Sequence, residues 1–238
     1  MAKPPDRSDF PGCRECPYAQ HGPWHVCVAC AGETLQSIRN PCPICSQQTD
    51  QGMCVNKLCT GDAGPHHIER IEAIALHIPP LDRMIRRFKY EQKTGWALIF
   101  ARLFIGHLNT RWDPDDVDLI IANPGHPERE HNSLVIKSAG LQDLHGRWPF
   151  DDPRSPAIDK QEKTAQSAGK GFREKMQAAA EHAAALRLRH PERIRGKRTI
   201  VYDDICTTGL QLNAVAKRLR EEWGATSVVG VVLARQPW

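Results

Sequence analysis

Thr199-Ile200-Val201-Tyr202-Asp203-Asp204-Ile205-Cys206-Thr207-Thr208-Gly209 runs from an apolar stretch through two adjacent acids into a short loop of hydroxyls and a glycine. The β-rich opening predicts a buried strand over Thr199 to Tyr202. Behind the loop, Leu212, Val215, Ala216, Leu219 and Trp223 recur at helical spacing, and Gly224 is placed to cap that helix at its C-terminus. Strand, loop and helix in this order form the turn of a parallel α/β unit, where ligands bind beyond the carboxyl ends of the strands. Loop N–H groups and the positive end of the following helix dipole suit a phosphate. Thr207 and Thr208 add hydroxyl donors, and Gly209 lets the backbone approach closely. Asp203 and Asp204 carry the wrong sign to hold that anion, so they are expected to accept hydrogen bonds from sugar hydroxyls beside it, at the strand's exposed end. Cys206 reads as a small packed thiol, because no histidine lies near it in sequence to activate it.

Working outward, Asp118 to Ala122 (DLIIA) is a short apolar run broken by Asn123-Pro124-Gly125, the pattern of a buried strand ending in a loop. Ser227 to Ala234 is an almost wholly apolar strand, and the alternation of Ile71, Ala73 and Ala75 marks a weaker one within Ile68 to Ile78. Leu81, Met84, Ile85 and Phe88 make one helical stripe. Ala97, Leu98, Ala101, Phe104, Ile105 and Leu108 make another, and Trp96, Phe100 and Leu103 add apolar surface that predicts cover on more than one face. Phe172 to Arg189 is rich in strong helix formers. The stretch before it, Asp159 to Gly171, lacks apolar periodicity and reads as an exposed, mobile loop carrying Lys160, Lys163 and Lys170. Strands alternating with helices imply a parallel sheet with right-handed crossovers.

Upstream the composition changes. Of nine cysteines, only Cys206 lies in the sheet region; the others fall as Cys13-x2-Cys16-x10-Cys27-x2-Cys30 and Cys42-x2-Cys45-x8-Cys54-x4-Cys59. A C-x2-C knuckle presents two sulfurs to one tetrahedral ion, and two pairs close a four-cysteine zinc site with no open position. Two structural zinc ions follow, with sequential pairing of the cysteines favoured over a cross-brace. Such sites fold their segment and do no catalysis. A disulfide framework is the alternative. The polar opening MAKPPDRSDF carries no export signal, which disfavours it. Thr60 to His67 (TGDAGPHH) reads as a boundary, with His66 and His67 in a solvated turn.

The rest of the composition narrows the class. With 40% hydrophobic and 25% charged residues the chain is of ordinary globular make-up, which excludes wholesale disorder and collagen. Trp96 to Gly106 is the longest apolar stretch. Arg102 interrupts it and it is too short to span a bilayer, so no membrane insertion and a cytoplasmic location are expected. Net charge is +4, too small for nucleic-acid binding to be argued from bulk electrostatics.

The segment from Asp203 to Gly209 resembles the phosphoribosyl-pyrophosphate (PRPP) motif of the type I phosphoribosyltransferases. Phe88-Lys89-Tyr90, Asn123-Pro124-Gly125-His126, and Lys163 to Arg173 with Gln166 extend the likeness to the ComF group. That group joins an N-terminal zinc module to a phosphoribosyltransferase domain and is often linked to DNA uptake. The resemblance implies a zinc module over residues 1–65 and, over 66–238, a type I phosphoribosyltransferase-like parallel sheet flanked by helices. It implies that Asp203 and Asp204 hold the ribose hydroxyls while Cys206, Thr207, Thr208, Gly209, Leu210 and Gln211 wrap the 5′-phosphate. Pro124, Gly125 and His126, with Asn123, would form the pyrophosphate loop, and the lysine loop would close over the site with Lys163 as a candidate catalytic group. Leu210 and Gln211 stand where the family usually has a small residue and then Thr or Ser. The activity implied is transfer of phosphoribosyl from PRPP, with magnesium, to a small-molecule base or amine.

The competing class is a binding protein that keeps a PRPP site for sensing and grips single-stranded DNA. Arg187, Arg189, Arg193, Arg195, Lys197 and Arg198 would supply its charge. No Phe, Trp or Tyr lies within that stretch for bases to stack on, and a solvated helix end and turn is the simpler reading.

Overall fold

A computed structural model of the chain describes residues 35–50, 52–125, 130–164 and 171–237. Four strands, β1 (Arg70–Leu76), β2 (Leu119–Ala122), β5 (Arg198–Cys206) and β6 (Ser227–Arg235), form one sheet in the order β1-β6-β5-β2. All three pairings are parallel, as the alternation of apolar runs with helical stripes implied. The flanking helices are α1 (Leu81–Tyr90), α2 (Trp96–Arg111), α3 (His131–Gln142), α4 (Phe172–Ala184), the short α5 (Pro191–Ile194) and α6 (Leu210–Lys217).

Successive side chains of a strand point to opposite faces, and the two central strands use this to serve two cores. Ile200 and Tyr202 of β5, with Val231 and Leu233 of β6, face the cluster made by Met84, Ile85, Phe100, Phe104, Leu108 and Val135 of α1, α2 and α3. Val201, Val228 and Val232 face the opposite cluster with Leu212, Val215 and Leu219 behind α6 and, from the cysteine segment, Cys42, Cys45 and Leu58. The breadth of apolar surface on α2 is used as expected, with Trp96, Phe100 and Phe104 each at most 1% exposed. The Phe104 ring lies 4.8 Å from that of Tyr202, centroid to centroid.

Three expectations need correction. β5 does not stop at Tyr202 but continues through both acids to Cys206, because β6 extends beside it and pairs Asp203 with Val232 and Ile205 with Ala234. The acids therefore do not lie at an exposed strand end. The helix begun at Phe172 ends at Ala184, and Leu186–Leu188 is instead a strand, β4, antiparallel to Ile158–Lys160, β3. Leu186 is buried in the core on the α6 face, so tertiary burial overrides its helix propensity. Asp159 and Lys160 thus belong to a strand and not to a loop. Gly224, at φ +77, does end the helical segment that runs on from α6.

Candidate functional site

Parallel pairing of β2 with β5 places Ala122 opposite Tyr202, so the chain leaves β2 beside the point where β5 runs on into its two acids. Asn123 follows one strand where Asp203 continues the other. Its Nδ2 donates to Asp203 Oδ2 at 2.9 Å, and its backbone N–H donates to the Tyr202 carbonyl at 2.8 Å. Asn132, near the start of α3, donates to Asp203 Oδ1 at 2.8 Å. Asp204, 6% exposed, is gripped differently: Lys89 Nζ stands 2.7 Å and His131 Nε2 2.9 Å from its Oδ2.

The two acids are set apart by these partners. Burial, and then the charge of Asp204, push the Asp203 carboxyl above its usual range against the Asn123 and Asn132 hydrogen bonds. Burial works against Asp204 too. There the Lys89 charge and the His131 contact outweigh it and hold the carboxyl well below the usual range. Lys89 itself is desolvated, yet the attraction of Asp204 raises it and keeps it charged. One neighbouring pair therefore presents an anion locked in an ion pair next to a carboxyl that takes up its proton at about 6, well above an ordinary aspartate.

Beyond the acids the chain turns through Thr207 and Thr208 to Gly209, whose φ of +80 is the left-handed conformation that glycine adopts at no steric cost. Helix α6 starts at the next residue. The backbone at Gly209 therefore requires glycine, and a side chain there would also have to displace the terminal methyls of Ile71, at 2.8 Å, and Leu58, at 2.9 Å. Cys206 is 3% exposed, and burial raises its thiol to about 11, as befits an inert packed group.

A cavity of about 460 Å³ opens here, lined by Lys89, Asn123, Gly125, His131, Asp203, Asp204 and the whole run Cys206 to Gln211. Most of the expected site residues thus meet in one place. Pro124 lines a second cavity of about 250 Å³ that shares Gly125 and Lys160 with the first. Lys163 is exposed and lines neither cavity; Lys160, on β3, lines both. His126, Gln166, Lys170 and the first four cysteines (Cys13, Cys16, Cys27 and Cys30) lie outside the described residues.

Sequence reading missed His182. It sits on α4 at 5% exposure, where Lys160 Nζ donates to its Nδ1 at 3.0 Å. Its Nε2 then carries the proton and donates to Asn123 Oδ1 at 3.1 Å, with the Gln211 amide 3.3 Å from the same nitrogen. Burial and then the nearby Lys160 charge depress its pKa to about 3, so the ring is neutral. It joins β3, the loop after β2 and the start of α6. A lone histidine in an alanine-rich helix gave no sequence signal beyond its apolar neighbours.

The basic stretch is also reassigned. Arg187 pairs with Glu162, Arg189 with Asp159, Arg193 with Asp151, and Arg198 with Asp118. These arginines tie segments of the chain together, so the stretch is not a simple solvated turn.

The second cysteine set comes together as sequential pairing expects. Cys42, Cys45, Cys54 and Cys59 hold their sulfurs within 4.8 Å of one another, with Cys42 to Cys59 and Cys45 to Cys54 both at 3.7 Å. Four sulfurs bound tetrahedrally to zinc at ~2.3 Å lie roughly 3.8 Å apart, so the donor set fits that ion. His66 and His67 are not part of the cluster: His66 Nε2 meets the Leu58 carbonyl and His67 Nδ1 lies 2.9 Å from Glu221.

Fold and site define an α/β protein with a parallel sheet, a glycine-turned loop beside a half-buried and a buried acid at its carboxyl edge, and a four-cysteine cluster that could hold a metal ion. Proteins called "DNA utilization protein YhgH" are similar to this chain along most of its length. That of Shigella flexneri is 24% identical over 213 residues, covering 86% of this chain and 88% of its own, and that of Escherichia coli K12 is 24% identical over 215 residues, covering 87% and 88%. No protein-family model matches the chain. Among the described residues no helix is long and apolar enough to cross a membrane.

Proposed function

We propose that this chain is a ComF-like phosphoribosyltransferase that binds PRPP with magnesium and transfers phosphoribosyl to a base or amine, releasing pyrophosphate. The observation that carries the reading is the juxtaposition of Asp203 and Asp204 with the Thr207-Thr208-Gly209 turn at the start of α6, in one cavity with Asn123 and Gly125. N–H groups of Cys206 to Gln211 would take the 5′-phosphate. Asp203 and Asp204 would accept from the ribose hydroxyls with the lone pairs that Asn123, Asn132, Lys89 and His131 leave over. The bond from C1′ to pyrophosphate breaks as the acceptor nitrogen bonds to C1′, and negative charge gathers on the leaving group. Lys160, which lines the cavity, is the cation that would meet that charge, whereas Lys163 lies outside it.

Both carboxylates are engaged by side chains of the protein, so they form no cage for magnesium. The ion would arrive on the phosphates of the substrate, as magnesium commonly does. Zinc at the cysteines would hold the knuckle against the sheet and supply no reactive group.

Calorimetry with PRPP and magnesium tests the site. Asp203→Asn is the variant of choice, since it leaves the Lys89 to Asp204 ion pair intact, and it should weaken PRPP binding at least tenfold. Unchanged affinity in a folded variant sinks the assignment. Assay of pyrophosphate release with a panel of bases and amines then decides between transfer and sensing.

The relatives' name favours a second reading, a protein that handles DNA. The ion pairs made by Arg187, Arg189, Arg193 and Arg198 weigh against that stretch as the DNA-binding face, because each cation already has a carboxylate partner. Steep salt dependence of oligonucleotide binding, flattened by neutralising Arg195 and Lys197, would support it.

A further inference from the structure

Two buried side chains tie the cysteine cluster to the loop after β5. Arg235, the last residue of β6, is 0% exposed. Its Nε donates to the Cys45 carbonyl at 2.8 Å and its Nη2 to Cys45 Sγ at 3.8 Å. Its Nη1 donates to the carbonyls of Cys206, at 2.9 Å, and Thr207. Asn56, 1% exposed, divides one amide in the same way: Nδ2 donates to Cys45 Sγ at 3.4 Å and to the Thr208 carbonyl at 3.1 Å, while Oδ1 accepts from Leu58 N at 3.0 Å. Three successive loop carbonyls thus share donors with a single cysteine.

A peptide unit is planar, so fixing the carbonyls of Cys206, Thr207 and Thr208 also fixes the directions of the next three N–H groups. Those are the donors an anion in the loop would use. The other ends of Arg235 and Asn56 rest on a cysteine whose position depends on its metal: bound, Cys45 is held in place among four ligands, and without metal that anchor is gone. We propose that Arg235 and Asn56 are positioning residues that couple the metal state of Cys45 to the shape of the 206–209 loop. With metal bound, the loop is set to receive an anion; with metal lost, it loosens and anion affinity falls. Coupling of this kind is reciprocal, so an anion held in the loop also protects the metal. The proposal takes its ligand from the PRPP reading above, but the coupling itself is measurable without PRPP.

The experiment uses the full, zinc-loaded chain. Hydrogen exchange of the 206–211 amides is compared between wild type, Asn56→Ala and Arg235→Lys, each checked for full zinc content. In parallel, mass spectrometry follows iodoacetamide labelling of Cys45 in the presence of a chelator, with and without PRPP and magnesium. Asn56→Ala and Arg235→Lys are each expected to speed exchange in the loop while α2 is unchanged. In Asn56→Ala, Cys45 should be labelled about tenfold faster, the usual scale for loss of a hydrogen bond to a metal ligand. PRPP should slow labelling in wild type and not in Asn56→Ala. Loop exchange equal to wild type in both variants would overturn the coupling. So would a loosened loop with unchanged labelling, which would reduce Asn56 to a structural prop. If PRPP fails to bind at all, the proposed function falls, while exchange and ligand-free labelling still decide the coupling.

Discussion

The two faces of the sheet are covered by different means. On one, α1, α2 and α3 bury large side chains such as Trp96, Phe100 and Phe104, and dispersion and water exclusion hold the layers together. On the other, α6 covers part of the sheet and the cysteine segment covers the rest with the fully buried Leu58 and the smaller Cys42 and Cys45, with no aromatic ring among them. Hydrogen bonds dock that segment: Ile71 N donates to the Ile44 carbonyl at 2.7 Å, and Ser46 Oγ donates to the Ile71 carbonyl at 2.8 Å. A helical layer carries its own core, whereas a short cysteine knuckle would draw its rigidity from a bound metal. The site sits at the edge where the two kinds of cover meet.

The largest effect should come from the metal-dependent face. Cys54→Ser is expected to remove one zinc equivalent per chain by elemental analysis and to unfold the knuckle locally, since structural zinc supplies on the order of 10 kcal/mol of folding energy to such segments. The α2 amides should keep their hydrogen-exchange protection. Global loss of α2 protection in this variant would mean that the two faces are not separable.

On the helical face, Phe104→Ala should cost roughly 3–5 kcal/mol of unfolding free energy in urea titration, through lost burial and the cavity beside Tyr202. Its zinc content should stay at the wild-type value. A cost below about 1 kcal/mol would show that this core relaxes around the gap far more easily than its close packing implies.

Asp204→Asn tests the border between them. It leaves Lys89 charged and buried without its anion, which costs about 3 kcal/mol by urea titration. Because Asp204 is buried, its replacement is expected to lower stability as well as any ligand binding. Asp204→Asn combined with Lys89→Met, which removes both charges, should recover most of the loss. No recovery would mean that the damage lies outside the ion pair.

Near neutral pH the smallest effect belongs to His182, whose contribution shows only in a pH profile. His182 titrates at about 3 in the folded chain against ~6.5 when unfolded. Its neutral form is favoured by folding, so its contribution is present above about pH 6.5 and is lost as pH falls from there toward about 3. His182→Gln should flatten the decline of stability between pH 6.5 and 4 with little change at pH 8. An unaltered slope would place the acid sensitivity in other groups.

Much of this was legible in the residues alone. Ile200, Val201 and Tyr202 declared a buried strand, the stripe through Phe104 and Leu108 a helix buried on a broad front, and the spacing of Cys42, Cys45, Cys54 and Cys59 a single four-sulfur cluster, because each signal is local and periodic. The loop glycine was legible for the same reason: a turn that needs positive φ selects its residue directly. Enclosure of the acids within the strand was not legible, since it follows from how far β6 runs alongside β5. Leu186 entered a strand because it is buried beyond α4, against the propensity of its own segment. The partners that decide the site's electrostatics come from positions remote in sequence: Lys89 and His131 on Asp204, Asn132 on Asp203, His182 on Asn123, and Arg235 and Asn56 on Cys45. Sequence determined which segments could form strands, helices and a metal knuckle, since backbone preference and hydrophobic period act over a few residues. Only the tertiary structure decided which charges face each other, because that depends on the order and register in which the strands were laid side by side.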